Sequence, residues 1–463
     1  MSYDVVIKGG QVVSSKGVSR SDVAIKGEKI AAVGADLEGR EVIDASGKLV
    51  LPGAMDVHTH FQLPFCGTVS ADDFENGSKA AAMGGVTTFI DFAIQAKPNS
   101  VMDAVTARRA EADPKVCVDY GLHAGITDWN DDRVREIPQI IEAGLPTFKM
   151  FMVYRSQGWQ STDADLYAAL RETAKYGGMV GVHAENDDLI TRFQQEAERD
   201  GLSGCYAHTL TRPTVTESEA VERAIHLAES TGGRLYIFHM STGRAAEIVW
   251  ENRERGVDVH AETGPHYLLL DDELFKRKDG HHFATCPPIR KPEDQEALWQ
   301  GLADGSIEVL ATDTCTFNSK QKAMWEGDFR RIPFGMPGIE TLLPLTYTKG
   351  VRDGRLSLER MVEVLSENPA KLFGMWPRKG TIRADSDADV VIFDPELAIT
   401  ISHKILATNC DYSPFEGTKV KGWPVTTLVR GAVVVRDRTF CGKPGTGKFI
   451  EREPVGPRKP AGN

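Results

Sequence analysis

The stretch Gly53-Ala-Met-Asp56-Val-His58-Thr-His60 constrains this chain more than any other. If residues 50–60 form a strand, period-two alternation puts His58 and His60 on one face at its C-terminal end. Two neutral imidazoles at i and i+2 can share one zinc or related divalent ion. A His-x-His pair alone is equally compatible with a core or surface role, so the rest of the chain has to decide.

From about 54 to 376, short apolar runs alternate with helical segments, which is the pattern of a parallel sheet with crossover helices. Eight runs read as strands: 54–60, 86–93, 117–125, 147–152, 179–185, 235–241, 257–263 and 307–313. Helix-like stretches such as 73–84 and 217–231 lie between them. Eight such units in about 320 residues predict a (β/α)8 barrel, whose chemistry sits at the C-terminal strand ends. The first strand ends in His58 and His60, the fourth contains Lys149, the fifth and sixth carry His183 and His239, and the eighth ends in Asp313. Five strands thus deliver metal-ligand chemistry to one rim. The other eight of the twelve histidines read as structural or solvent-facing, His123 in the third strand least comfortably so.

Residues 1–53 hold β-branched runs at 4–8, 11–13, 22–33 and 41–44, and the same texture returns at 388–394 and 426–436. Neither piece can bury a core alone, which predicts one composite β-sandwich made from both ends of the chain, 1–53 with 380–440, around a catalytic barrel at 54–379. The tail 441–463, rich in Pro, Gly, Lys and Arg, reads as an exposed arm able to cross a subunit boundary, or as a solvated end.

Charge narrows the function. A net charge of −12 with no basic patch argues against nucleic acid and anionic membranes as partners and favours small-molecule chemistry. The seven cysteines are odd in number and never spaced Cys-x-x-Cys, as expected of reduced thiols in a cytoplasmic protein. No apolar run suggests an export signal or a membrane span.

Lys149 stands out because an ammonium facing a dication is repelled. It either snorkels to the rim or pairs with an acid. A third option is a carbamate, formed when the neutral amine adds carbon dioxide, which makes an anionic oxygen ligand able to bridge two metals.

These motifs, together with Asp73-Phe-Glu-Asn-Gly-Ser-Lys-Ala-Ala-Ala-Met-Gly-Gly-Val-Thr-Thr, Phe148-Lys-Met-Phe-Met-Val-Tyr154, His183-Ala-Glu-Asn, His239-Met-Ser-Thr-Gly, Glu262-Thr-Gly-Pro-His-Tyr-Leu and Asn368-Pro-Ala-Lys-Leu-Phe-Gly, resemble the dihydropyrimidinase and D-hydantoinase group of the amidohydrolase superfamily over nearly the whole chain. The resemblance implies a binuclear centre. His58, His60 and Asp313 would hold the more buried ion, His183 and His239 the more exposed one, and Lys149, as N6-carboxylysine, would bridge them. Zinc is the first expectation, with manganese or another first-row ion possible. It further implies that a metal-bridging hydroxide opens a cyclic ureide or imide to an N-carbamoyl or similar acid, with Asp313 moving the proton and Tyr154 donating to the oxyanion. Relatives are commonly homotetramers.

The chain departs from that pattern at the pocket. Thr285-Cys286-Pro-Pro-Ile-Arg290 replaces Cys-Ser-Pro-Pro-Leu-Arg, Phe334 replaces an Asn, and Thr314 replaces the His that usually precedes Cys315. Segments 61–72, 93–100 and 151–161, which cover the exocyclic substituent in the family, carry Phe61, Leu63, Pro64, Phe65, Ile94, Phe151, Met152 and Trp159, with Phe92 directly before the second. Of these, Phe65, Phe151 and Trp159, with Tyr154, Cys286 and Phe334, are the expected substrate contacts, suited to an aryl or alkyl group. Two other readings stay open: a deaminase or mononuclear hydrolase in which Lys149 remains an amine, and a non-catalytic scaffold.

Overall fold

Eight parallel strands form the centre of the computed structural model, which describes residues 2–456. They are β1 (Ala54–Thr59), β2 (Val86–Ile94), β3 (Asp119–Gly125), β4 (Thr147–Phe151), β5 (Met179–His183), β6 (Arg234–Ile237), β7 (Val259–Thr263) and β8 (Val309–Leu310). Consecutive strands pair in order, and the ring closes where Thr59 bridges Thr314 and the His60 N–H donates to the Thr314 carbonyl at 2.8 Å. The architecture is a (β/α)8 barrel with a separate β-rich unit. Helix α1 (Phe74–Met83) starts where the Asp73 carboxylate accepts from the Asn76 N–H at 3.0 Å. The strand entry at Gly53 needs its missing side chain, because a Cβ there would sit 1.9 Å from the Thr87 hydroxyl.

Most strands are somewhat shorter than period-two reasoning predicts, and two end well before their site residue. β6 stops at Ile237 and β8 at Leu310, so His239 and Asp313 lie beyond them in the left-handed region, at φ 39° and 50°. Side-chain anchors hold these turns: the His239 N–H donates to Glu262 at 3.1 Å and the Thr312 N–H to Asp56 at 3.0 Å. Alternation fails once the ladder ends, and the turns re-aim both residues into the barrel mouth.

The terminal segments build one sandwich. Leu49–Pro52 pairs in parallel with Gln11–Ser14 and antiparallel with Val390–Thr400, inside a seven-stranded sheet. A four-stranded sheet from the first 44 residues faces it, and Ile7, Val23, Ile25, Ile30, Val50, Val390, Ile392 and Leu428 fill the space between. The run 22–33 is a hairpin, Asp22–Lys26 against Lys29–Gly34.

Sandwich and barrel meet at a buried charge cluster. The carboxylates of Asp119, Asp387 and Asp389 lie within 4.8 Å of one another, as in a cation site. The Lys379 ammonium already occupies that position, at 2.5 Å from Asp119, 2.5 Å from Asp389 and 3.0 Å from Asp387. Arg430 also pairs with Asp119. This is an ion-pair seam, not a metal site.

The tail differs from expectation. Residues 447–456 form a strap across the N-terminal mouth of the barrel, with the Tyr120 N–H donating to Lys448 at 3.0 Å, Ile450 to Tyr120 at 2.7 Å and Glu453 to Gly374 at 3.0 Å. Ile450 and Arg452 are fully buried. The approach is so close that a Cβ at Gly374 would lie 1.8 Å from the Glu453 carbonyl. Tail composition reads as solvated because it is polar; its backbone hydrogen bonds, invisible in composition, tie it down. Residues 457–463 lie outside the described ones. Among the described residues no helix is long and apolar enough to cross a membrane.

Candidate metal centre

At the C-terminal mouth of the barrel one open cavity is lined by His58, His60, Lys149, His183, His239 and Asp313, together with Phe65, Phe151, Tyr154, Trp159, Cys286 and Phe334. Every site residue expected from the sequence therefore reaches the same space.

The innermost group is His58, His60 and Asp313. Asp313 Oδ1 stands 3.0 Å from His58 Nε2 and 3.2 Å from His60 Nε2, and the three ligand atoms are close enough to share one ion. Burial opposes ionisation of Asp313, yet the neighbouring imidazoles hold its carboxyl well below the usual range. His58 shows the converse: burial works against its charge, but Asp313 and Glu262 raise it to about 9. Among the described residues Asp313 has only these two histidines as ion-pair partners.

His183 and His239 face each other with ring centroids 4.3 Å apart. Burial pushes His183 down to about 4 and His239 well below the ordinary range, so both are neutral imidazoles, the ligand form. Nδ1 of His239 and of His60 are buried without a hydrogen-bond partner. Lys149 is 2 % exposed, its amine 3.9 Å from the Phe238 ring centroid. Burial, opposed by Asp313 and Glu262, lowers it to about 7. Two neutral imidazoles, an amine largely stripped of charge and a buried carboxylate balanced only by its two histidine neighbours are a poor electrostatic arrangement without dications and a good one with them.

Sequence reasoning missed the groups behind the ligands. Glu262, on β7, accepts from His58 Nδ1, from the Tyr236 hydroxyl at 2.9 Å and from the His239 N–H, so one carboxylate orients ligands from two strands. Glu185 lies 2.7 Å from His183 Nε2 and takes Arg212 at 2.5 Å. A partial signal was present: Glu185 is two residues past His183, a spacing that would share a face had the strand run on to 185 as expected. His123, doubtful in the sequence, is a core residue bonded to Thr147 and Val57.

The outer wall is aromatic. Trp159 stacks on Phe65 at 5.6 Å and meets Phe151 at 5.2 Å and Tyr154 at 6.2 Å. Phe61, Phe92 and Met152 belong to the packed interior instead. Tyr154 sits at φ 71° with its ring 5.0 Å from His183, and its buried hydroxyl, pushed well above the usual range, keeps its proton. Burial likewise holds Cys286 as a thiol, at about 12. Phe334 stacks on His208 at 4.7 Å and 22°.

The family model described as the amidohydrolase family matches residues 49–434, which spans the barrel and the return into the sandwich. The chain belongs to the amidohydrolase family. Within this family it is 42% identical over 457 residues to a D-hydantoinase of Geobacillus stearothermophilus, covering 97% of each chain. It is 41% identical over 460 residues to a D-phenylhydantoinase of Escherichia coli O1:K1, covering 98% of this chain and 99% of the relative. The crystal structure of dihydropyrimidinase from Brevibacillus agri superimposes with a TM-score of 0.95 at 39% identity, covering 97% of this chain and 98% of that one.

Proposed function

We propose that this protein is a binuclear, metal-dependent cyclic amide hydrolase of the hydantoinase and dihydropyrimidinase type, opening a cyclic ureide or imide to an N-carbamoyl or related acid. The observation that carries the reading is the meeting of four imidazoles, Asp313 and a lysine poised near neutrality in one cavity. His58, His60 and Asp313 would hold one ion, His183 and His239 the second, with Lys149 between; zinc suits this donor set, as does manganese. Such ions, when bound, polarise a carbonyl and make water nucleophilic near neutral pH.

The chain's own groups do the rest. The neutral Lys149 amine attacks carbon dioxide, forms an N–C bond and releases one proton, which leaves a carbamate anion in place of a cation. Asp313, held ionised, accepts the proton of the attacking water and returns it to the departing amide nitrogen. Tyr154 retains its hydroxyl proton and donates to the oxygen on which negative charge develops. Trp159, Phe65 and Phe151 offer a flat apolar wall to a ring substituent, supporting an aryl or alkyl group over hydrogen. A homotetrameric, cytoplasmic enzyme without nucleic-acid or membrane partners completes the reading.

The test is absorbance-monitored ring opening of phenylhydantoin, an alkylhydantoin, dihydrouracil and succinimide by zinc-loaded protein, with metal counted per chain. The expected result is two ions per chain and faster opening of the phenyl- and alkylhydantoins than of dihydrouracil. Two bound ions with no ring opened would sink the reaction; a single ion beside an unmodified Lys149 would favour a mononuclear hydrolase or deaminase.

A further inference from the structure

The floor of the barrel holds a guanidinium without an anion. Arg452 comes in on the C-terminal strap, 2 % exposed, and no carboxylate pairs with it among the described residues. Its backbone N–H donates to Gly144 at 3.0 Å. Nη2 donates to the Leu122 carbonyl and, at 2.8 Å, to the Thr147 hydroxyl, while Nε and Nη1 find no partner. Gly121 makes room for it: a Cβ there would lie 3.2 Å from Nε. An unpaired buried charge is costly, and a plug alone would be served by an apolar side chain.

What the guanidinium touches leads upward to the metal centre. The Thr147 hydroxyl is 2.7 Å from His123 Nδ1, and His123 Nε2 is 3.0 Å from the Val57 carbonyl. A guanidinium can only donate and a carbonyl can only accept, so both ends of this chain fix the same direction. Arg452 donates to Thr147, Thr147 donates to Nδ1, and His123 carries its proton on Nε2 and donates it to Val57. His123 is fully buried, which suits the neutral ring this requires. Thr147 lies two residues before Lys149 on β4, and Val57 directly precedes His58 on β1. These strands are not neighbours in the sheet, so the chain of bonds spans the barrel interior between the two.

We propose that Arg452 is a positioning residue for the metal centre, acting from the C-terminal strap through Thr147 and His123 to fix β4 and β1, and with them Lys149 and His58, relative to each other. The inference rests on the metal-dependent reading above but not on the identity of the ring that is opened.

Three variants test it: Arg452→Met, Thr147→Val and Arg452→Lys. One readout is the His123 Nδ1 resonance, which reports its bond to Thr147, in protein labelled with 15N-histidine, assigned with His123→Asn. The other is zinc affinity by competition with a chromophoric chelator. Arg452→Met and Thr147→Val should each shift the His123 Nδ1 resonance, whose hydroxyl donor is loosened or lost while Val57 still holds the Nε2–H, and weaken zinc about tenfold, in the range for groups that orient metal ligands from behind. Arg452→Lys, still a donor to Thr147, should restore both. If Arg452→Met does not fold, Thr147→Val decides alone, since it keeps both the strap and its cation. An unchanged Nδ1 resonance with zinc affinity within twofold of the parent in the folded variants would overturn the proposal. The two readings fail separately: tight zinc without ring opening in the parent removes the reaction and leaves the relay, whereas unaltered variants of an active parent remove only the relay.

Discussion

Replacing Lys149 by methionine should make the metal-free protein more stable, although it removes the residue on which the centre depends. The amine is fully buried, has no hydrogen bond or ion pair among the described residues, and lies over the Phe238 ring at 3.9 Å. Burial lowers it from 10.5 to about 7. Because the folded value lies below the unfolded one, the unfolded chain binds the extra proton between roughly pH 7 and 10.5, and native stability rises with pH across that window. Below it the penalty is fully present. At about 1.4 kcal/mol per unit, the shift corresponds to roughly 4 to 5 kcal/mol.

Methionine matches the length of the side chain and packs well on Phe238, Phe92 and Phe151, but it forfeits a cation–π contact of about 1 to 2 kcal/mol. The net expectation is a gain of about 2 to 4 kcal/mol at pH 6, narrowing by about 1.4 kcal/mol per pH unit above pH 7. Urea unfolding followed by tryptophan fluorescence, in chelator and carbonate-free buffer at pH 6, 8 and 9.5, measures it. Adding zinc and bicarbonate should reverse the order, since only the parent can form the carbamate. A variant less stable than the parent at pH 6, or a gap that does not narrow with pH, would show that Lys149 is not a strained cation in the metal-free fold.

How much of this was legible in the sequence depended on periodicity. His58 on β1, Lys149 on β4 and His183 on β5 sit on regular strands, and His60 directly follows the end of β1, so alternation places them together in the barrel mouth. His239 and Asp313 were readable as strand-end residues only approximately, because their aim is set by left-handed turns anchored to Glu262 and Asp56 through contacts distant in sequence. Glu262 itself went unassigned for the same reason: its work is done on His58, 204 positions away. The aromatic wall was found in part, since loop composition names Phe65 and Trp159 but cannot tell them from Phe61 and Phe92, which turn inward to the core. Least legible was the strap. Its sequence is that of a solvated end, and only tertiary hydrogen bonds to Tyr120, Gly144 and Gly374 show otherwise.

Glu262→Gln keeps the shape but weakens the acceptor that orients His58 and His239, so metal affinity measured by chelator competition should fall about 10- to 100-fold. Trp159→Ala removes the stacking partner of Phe65 and should raise KM for an aryl-substituted ring several-fold with little change for an unsubstituted one; equal effects on both would remove the aryl assignment. Phe334→Asn releases His208 from its stacking partner and makes the wall polar, which should shift the kcat/KM ratio toward smaller, more hydrated rings. The seam between barrel and sandwich gives the sharpest stability test. Lys379→Met leaves Asp119, Asp387 and Asp389 clustered and buried, with only the arginines and Lys29 at their edges, which should cost about 3 to 5 kcal/mol at neutral pH. If those carboxylates could take up a dication instead, calcium or magnesium at millimolar concentration would stabilise the variant markedly. No such rescue is expected, because Arg430 and Lys29 still present positive charge to the other oxygens of Asp119 and Asp387, and urea midpoints with and without either ion decide it.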